Sequence, residues 1–581
     1  MLIDLNEAAA PDFLESDVCV VGGGAAGVAL ARNLARRGHD VCLLEAGGID
    51  FEQATQELCY GEVVGMDYYE LEHSRLRFFG GTTNIWGGRS VPLDRIDFEK
   101  RDWVPHSGWP ITLDDLEPYY RIAHDSLELG EYDYSQDMWE KLQFLPIDFD
   151  PEEVAHLFWR FDSKKERFNS DQVDDLLAAS NVRIVLHANV VHIQAGENAR
   201  DVRHLLTRTL EGRETTFRAK HFVLACGAIE NARLLLLSDD VEANGIGNSG
   251  DQVGRYFMEH PHGRIAHIET RDPARFWAQY RKRYPQAGPP VAPALVTPEA
   301  LQRSKGILNS AATFKIQRNP DLGLGIGSKV YMNLKHDLNA TKTNRRMWHT
   351  YRRLLGWLQK HMSLTLLRTV TKVKRMDLYL MARAEQAPNP DSRVILSTEV
   401  DELGCRRGDL DWQLSEIDKR SVLELARAVG REFERLRLGQ VQTSSWLEDG
   451  TAAWPVDPTV GNHPIGGYHH MGTTRMSDSS ATGVVDKNCT VHGYGNLHMA
   501  GSSVFTTGGW ANPTLTILAL SHRLADHLDH LLIADESALT SAINKPSKWS
   551  ARRWLSARMV SVGLAHPPVV NTELPAICRL W

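Results

Sequence analysis

The chain has 581 residues, 42% of them hydrophobic and 24% charged, with a formal net charge of -9. That length exceeds one simple core, so two domains or interleaved lobes of an ordinary globular protein are expected. The negative balance argues against nucleic acid as a partner, and no apolar run reaches the roughly 20 residues that span a bilayer. Cysteines fall at Cys19, Cys42, Cys59, Cys226, Cys405, Cys489 and Cys578 with no CxxC pair, and read as buried thiols of a reducing compartment. The acidic start MLIDLNEAAAPDFLESD has neither a basic n-region nor an apolar h-region, so a cytoplasmic location is expected.

In chain order, Val18–Val21 predicts a short strand, Ala25–Arg37 a helix and Val41–Leu44 a second buried strand. A helix between two such strands requires a right-handed crossover and a parallel sheet. Gly22, Gly24 and Gly27 form a GxGxxG turn at the strand–helix junction. The first glycine permits the tight turn, the second admits a pyrophosphate, and the third lets helix and strand pack closely. Glu45 ends the second strand 18 positions after Gly27, where a carboxylate accepts ribose hydroxyls. A dinucleotide is the expectation; this loop alone leaves FAD and NAD open.

Asp50 to Tyr120 reads as loop-rich and carries RFFGGTTNIWGGR at Arg77–Arg89. Strand patterns return at Val182–Val185, Val190–Ile193 and Phe222–Ala225, the last running into a turn at Gly227 and the helix-like NARLLLLS. Glu259-His260-Pro261-His262 reads equally as structure or as an approach to the site. Leu338–Met376 holds ten Lys/Arg, no Asp or Glu, and an apolar stripe at Met347, Tyr351, Leu355, Leu358 and Met362. A helical pair capping the substrate lobe with its cations solvated is preferred there to a membrane-surface helix. Asn496–Leu528 predicts a strand, a glycine-rich loop and a helix starting near Pro513. Such a helix N-terminus would stabilise the negative charge of a reduced flavin, which favours FAD. The tail after Ala534 is irregular and rich in Trp and Arg.

Taken together, VVGGGAAG…LLEAGG, GGTTNIWGGR at Gly80–Arg89, LACGAIENARLLLLS at Leu224–Ser238, YHHMGTTRM and GGWANPTLTI resemble the glucose–methanol–choline (GMC) oxidoreductase family. They occur in family order over nearly the whole chain and most resemble the branch of pyranose oxidase, fructose dehydrogenase and glucoside 3-dehydrogenase. The resemblance implies an α/β fold of two lobes, like that of p-hydroxybenzoate hydroxylase: a Rossmann-like FAD lobe and a substrate lobe with an antiparallel sheet and helices. The FAD lobe is expected at 14–95, 180–258 and 484–535, the substrate lobe at 96–179 and 259–483, and a C-terminal extension at 536–581. Cofactor contacts are expected from Gly22, Gly24, Ala26, Gly27, Glu45 and Ala46, and from Gly80, Gly81, Thr82, Asn84, Trp86 and Gly87. Further contacts fall on Val190, Ala225, Gly227, Gly501, Ser502, Asn512, Pro513 and Thr514.

The same resemblance puts the catalytic base at His469 in an HxxGT motif and its partner at Asn512, just before the last helix. A neutral imidazole suits removal of a hydroxyl proton near pH 7, and an amide orients the hydroxyl without carrying charge. Asn512 as a helix N-cap is the rival reading. His469 and His470 point to opposite faces if extended, so no metal site is expected. Pyranose oxidases tether their flavin through a histidine where this chain has Ile85, so FAD is expected to be noncovalent. Gly501 stands where many members carry an acid, leaving those contacts to backbone amides or Ser502. The implied activity is FAD-dependent oxidation of a primary or secondary alcohol, a sugar, cyclitol or other polyol, to the carbonyl. A dehydrogenase is preferred to an oxidase, with quinone, redox protein or O2 as the acceptor. A flavin lyase or isomerase and a non-catalytic flavin-binding protein are the alternatives.

Overall fold

The strand Phe13–Val21 alternates between exposed and buried residues at first and is then buried almost continuously from Val18 onward. Continuous burial is what the centre of a parallel sheet covered on both faces requires. In this computed structural model, which describes residues 1–544 except 165, 286–287, 319–328, 331–332, 335–338, 373–375, 452 and 458–464, that strand pairs in parallel with Val41–Leu44 and with Glu214–Leu224. Val182–Leu186 and Leu2–Asp4 extend the sheet on one side; Val202–Arg208 and Asn189–Ala195 close the other in antiparallel register, and Leu497–Met499 joins Glu214–Leu224 from the far end of the chain.

A second, antiparallel sheet has seven strands in the order Gly439–Thr443, His262–Thr270, Met376–Ala384, Ser310–Arg318, Val291–Val296, Ala155–Phe161 and Arg89–Ser90. Its register sets Arg89 opposite Phe161, Ala292 opposite Trp159, Val296 opposite Ala311, and Ala311 opposite Arg383. Because side chains alternate along a strand, Arg89, Trp159, Phe161, Thr313, Lys315 and Arg383 all fall on one face. That face lines the cavity described below.

Both sheets lie within one unit, Met1–Leu528; Asp529–Trp581 form a second, whose described part, residues 529–544, continues the helix Thr514–Asn544. Several expected boundaries move. Leu2–Asp4 adds a strand to the parallel sheet ahead of residue 14, and Arg89–Ser90, inside 14–95, edges the antiparallel sheet. The expected break at 535/536 falls inside the Thr514–Asn544 helix, and the Trp- and Arg-rich tail from 545 onward, with Cys578, lies outside the described residues. No described helix is long and apolar enough to cross a membrane.

The basic segment is two helices, Lys342–His361 and Leu364–Lys372, and its inward face is the anticipated stripe only in part: Tyr351, Leu355 and Met362 are half-buried. Met347 and Leu358 are 44% and 45% exposed, while Arg345, Trp348 and His349 are buried. At the first turn the reason is electrostatic: Arg345 pairs with Asp50 and Glu166, which turns a cation inward and leaves Met347 outward, while Leu355 lines the cavity and Met362 packs against Ala274, Trp277 and Leu367. Residues 338 and 373–375 of that segment lie outside the described residues.

Candidate active site

One cavity of about 570 Å³ runs from the glycine turn to His469 and Asn512. At its first end the three glycines divide their work. Gly22 has φ +110°, and a Cβ there would lie 2.5 Å from the Ala225 carbonyl oxygen. A Cβ on Gly27 would lie 1.9 Å from the Gly22 oxygen, so this glycine serves helix–strand packing and does not itself line the cavity. Above Gly24 there is open space, at the N-terminus of the Ala25–Arg36 helix, whose unpaired amides suit a phosphate. Glu45 accepts hydrogen bonds from the amides of Gly23 and Gly47, both at 3.0 Å, and turns toward the cavity with lone pairs to spare. Burial raises its pKa, partly offset by those amides. A dinucleotide fits this set: an open phosphate cradle, a carboxylate beyond it, and a continuous channel to the far end.

Ala26, Ala46, Gly80, Gly81, Thr82, Trp86, Gly87, Val190, Ala225, Gly227, Gly501, Ser502, Pro513 and Thr514 also line the cavity, as expected for cofactor contacts. The Gly80 loop is pinned to the glycine turn by Gly80 N–H donating to the Gly23 carbonyl at 2.9 Å. Asn84 corrects the expectation. Its amide folds back to donate to the carbonyls of Phe79 and Gly81, at 3.1 and 2.9 Å, so it is fully buried and holds the turn rather than a ligand. The Ser502 hydroxyl donates to the His470 carbonyl at 2.7 Å and thereby supports the histidine loop.

At the other end His469 Nε2 lies 3.0 Å from Asn512 Nδ2. The preceding Tyr468 has φ +61°, a left-handed turn that aims the imidazole into the cavity, and a Cβ on Gly467 would strike the His469 ring. His470 turns the other way, to the Tyr68 hydroxyl at 3.1 Å. Behind His469 stands Glu259, fully buried, accepting from the amides of His260, Gly467 and His469 and from the Tyr68 hydroxyl. His260 Nδ1 faces His469 Nδ1 at 2.8 Å, and His260 Nε2 lies 2.9 Å from the Gly509 carbonyl oxygen.

These contacts assign the protons. A carbonyl only accepts, so His260 carries its hydrogen on Nε2; its Nδ1 is then an acceptor, and the Nδ1 hydrogen of His469 points at it. That leaves the lone pair of His469 on Nε2, beside Asn512. Burial lowers the pKa of His260 to about 4 and that of His469 well below the ordinary histidine value, with His260 and Arg383 adding repulsion to the latter. Both rings are neutral near pH 7. Ligand atoms of Glu259, His260 and His469 lie within 4.8 Å of one another, and the hydrogen bonds just given account for that cluster. Sequence reasoning left Glu259 and His260 undecided and missed Tyr68, because their role comes from contacts with a loop some 200 positions from the first two and 402 from the third.

Comparison with known proteins agrees with this geometry. Residues 17–244 match the FAD dependent oxidoreductase family model, and residues 388–521 the GMC oxidoreductase model. The chain is 25% identical to 6'''-hydroxyparomomycin C oxidase of Streptomyces lividus, over 90% of this chain and 93% of that protein. It is 26% identical to the fructose dehydrogenase large subunit of Gluconobacter japonicus, over 53% of this chain and 47% of that one. The fold is similar to that of formate oxidase, with a TM-score of 0.52 at 17% identity over 90% of this chain and 99% of that one. Nucleotide cradle, histidine loop and both matches converge: the chain carries an FAD dependent oxidoreductase domain and a GMC oxidoreductase C-terminal domain, and takes FAD as its cofactor.

Proposed function

We propose that the protein oxidises an alcohol to a carbonyl compound, with His469 and Asn512 as the catalytic residues. The observation that carries this reading is the neutral His469 whose Nε2 lone pair lies beside the Asn512 amide at the cavity wall. Bound FAD supplies the hydride acceptor. The substrate hydroxyl displaces the Asn512 N–H from His469 Nε2; Nε2 then takes the hydroxyl proton as the carbinol hydrogen leaves, and the freed Asn512 amide donates to the oxygen that becomes the carbonyl. The Gly509 carbonyl and His260 hold the ring in the tautomer this step needs, and Glu259 holds the backbone that carries it.

A sugar or polyol substrate is supported by relatives named for 6'''-hydroxyparomomycin C and fructose. We take FAD to be noncovalent, since Ile85, which lines the cavity, has no nucleophilic atom; acid precipitation should leave the flavin in the supernatant. A dehydrogenase passing electrons to a quinone or redox protein is our finer reading. It calls for dye reduction without hydrogen peroxide, and peroxide formed in step with product would overturn it.

The test is anaerobic mixing of the FAD-loaded enzyme with a panel of alcohols. Flavin absorbance should bleach, and His469→Ala should slow the bleaching about 10²–10⁴-fold while retaining flavin. A panel in which nothing bleaches the flavin contradicts the proposal, and turnover with no electron acceptor would make the enzyme a lyase or isomerase instead.

A further inference from the structure

The helix Lys342–His361 has two faces with different surroundings. Its inward face is occupied: Trp348, Arg352, Leu355 and Gly356 line the cavity, and Arg345 is held by Asp50 and Glu166. Gly356 lets the helix sit close to Tyr284, since a Cβ there would come within 3.2 Å of the Tyr284 hydroxyl. The outward face carries Met347, Leu354 and Leu358, which recur at helical spacing along one stripe, with Trp357 beside them. All four are exposed, Leu354 by 51% and Trp357 by 58%. The next helix, Leu364–Lys372, continues the pattern: Leu367 packs against Ala274 and Trp277, while Leu364 and Leu366 stay exposed.

The cations of this face are ordered too. Arg346, Arg353 and Lys360 recur every seventh residue, so they run as a single row beside Trp357. With Lys342 and Lys372 they are exposed, and none forms an ion pair with a described residue. No Asp or Glu occurs between Leu338 and Met376 to balance them. Single exposed apolar residues are ordinary, but a stripe of Met, Leu and Trp rimmed by cations is not. A second copy of this chain fits it poorly. A two-fold contact would bring both cation rows into one interface, with no carboxylate of the segment to pair them. A surface that is apolar within and anionic at its skin matches both the stripe and the row. The net charge of -9 opposes such contact only weakly, because salt screens charges beyond about 10 Å and the row itself lies at the contact.

We propose that this face docks on a phospholipid bilayer that contains anionic lipid. The helix lies in the plane of the membrane surface and does not cross it; Met347, Leu354, Trp357 and Leu358 enter the headgroup layer. Arg346, Arg353 and Lys360 meet the anionic headgroups along one edge. Trp357 stands between stripe and row, where an apolar ring with one polar N–H is best placed. Because the opposite face of the helix lines the cavity, docking sets the cavity about one helix diameter, roughly 10 Å, from the bilayer. None of the docking side chains lines the cavity, so docking stands apart from the alcohol chemistry.

Co-sedimentation of the full, FAD-loaded chain with vesicles, in the absence of any alcohol, tests this. Vesicles of equal parts phosphatidylcholine and phosphatidylglycerol should carry the protein down, and phosphatidylcholine alone at least about tenfold less. Raising the salt from about 0.01 M to about 0.15 M should weaken the binding, as the screening length falls from about 30 Å to about 8 Å. Two double variants, Trp357→Ser with Leu358→Ser and Arg346→Ser with Arg353→Ser, should each lower the partition onto anionic vesicles about tenfold or more. Both should keep the flavin content and melting temperature of the wild type, because all four side chains are exposed. Failure to sediment with the anionic vesicles overturns the proposal. Equal binding to phosphatidylcholine alone, or binding that both variants retain, overturns it as well. A dimer in sedimentation velocity that Trp357→Ser with Leu358→Ser dissolves, without vesicle binding, would assign the face to a second copy instead.

Discussion

His260 and His469 meet through their Nδ1 atoms at 2.8 Å, and that contact decides which nitrogen of His469 faces the substrate. The Gly509 carbonyl anchors the far side of His260, so three groups in a row set one tautomer. His260→Leu should keep FAD bound yet slow flavin reduction about 10- to 100-fold, since an imidazole without a partner samples the wrong tautomer. His260→Gln, whose amide oxygen can accept the Nδ1 hydrogen, should recover part of the rate. A wild-type rate in His260→Leu would show that the contact is structural only.

The direction of the His469 shift fixes a pH dependence. A histidine whose pKa lies below its ordinary value stays deprotonated through neutrality and loses its lone pair only in acid. The rate of flavin reduction at saturating substrate should be level from about pH 6.5 upward through neutrality and fall only below that. A profile rising through pH 7 would mean that the base is an ordinary, solvated histidine.

Gly24 and Gly27 predict opposite failures. A methyl group on Gly24 meets nothing in the protein, so Gly24→Ala should fold with a near wild-type melting temperature and bind FAD weakly, because the methyl fills the phosphate cradle. Gly27→Ala sets its methyl against the Gly22 carbonyl and should damage the helix–strand junction itself, lowering the melting temperature and the soluble yield. Flavin titration together with thermal unfolding separates the two.

Arg101 and Glu385 are both fully buried and joined at 2.9 and 2.5 Å. Glu385 also accepts from the Asn309 amide at 2.8 Å, and Asn309 reaches Asp94 and Asp97. Asp94 in turn accepts from Trp510, in the loop that leads to Asn512. Arg101→Met strands the Glu385 carboxylate and should cost about 3–5 kcal/mol of stability in denaturant unfolding. A loss below about 1 kcal/mol, the scale of an exposed pair, would contradict the buried-pair account.

The nucleotide half of the site was legible because it is local. Strand, glycine turn, helix and acid lie within Val18–Glu45, and each residue type carries its own conformational reason. His469 and Asn512 were legible through their motifs, although their contact, across 43 positions, appears only in the fold. The relay through His260, 209 positions from His469, has no local signature at all. The cations on the cavity face of the antiparallel sheet are hidden for a different reason. Arg89, Lys315 and Arg383 are single residues on separate strands, and a lone charge in an alternating pattern looks like a solvated position until the register turns it inward. Asn84 and the helix at Lys342–His361 misled in the reverse direction: a polar residue in a glycine loop folded back, and a cation took the buried face.

The central claim is that His469 deprotonates an alcohol as its carbinol hydrogen leaves. Anaerobic stopped-flow reduction of the bound flavin by the best alcohol, protiated or deuterated at the carbinol carbon, addresses it most directly. The account predicts a primary isotope effect on bleaching in the wild type and, in His469→Ala, a loss of about 10²-fold or more with the flavin still bound. Bleaching at the wild-type rate in His469→Ala would contradict it.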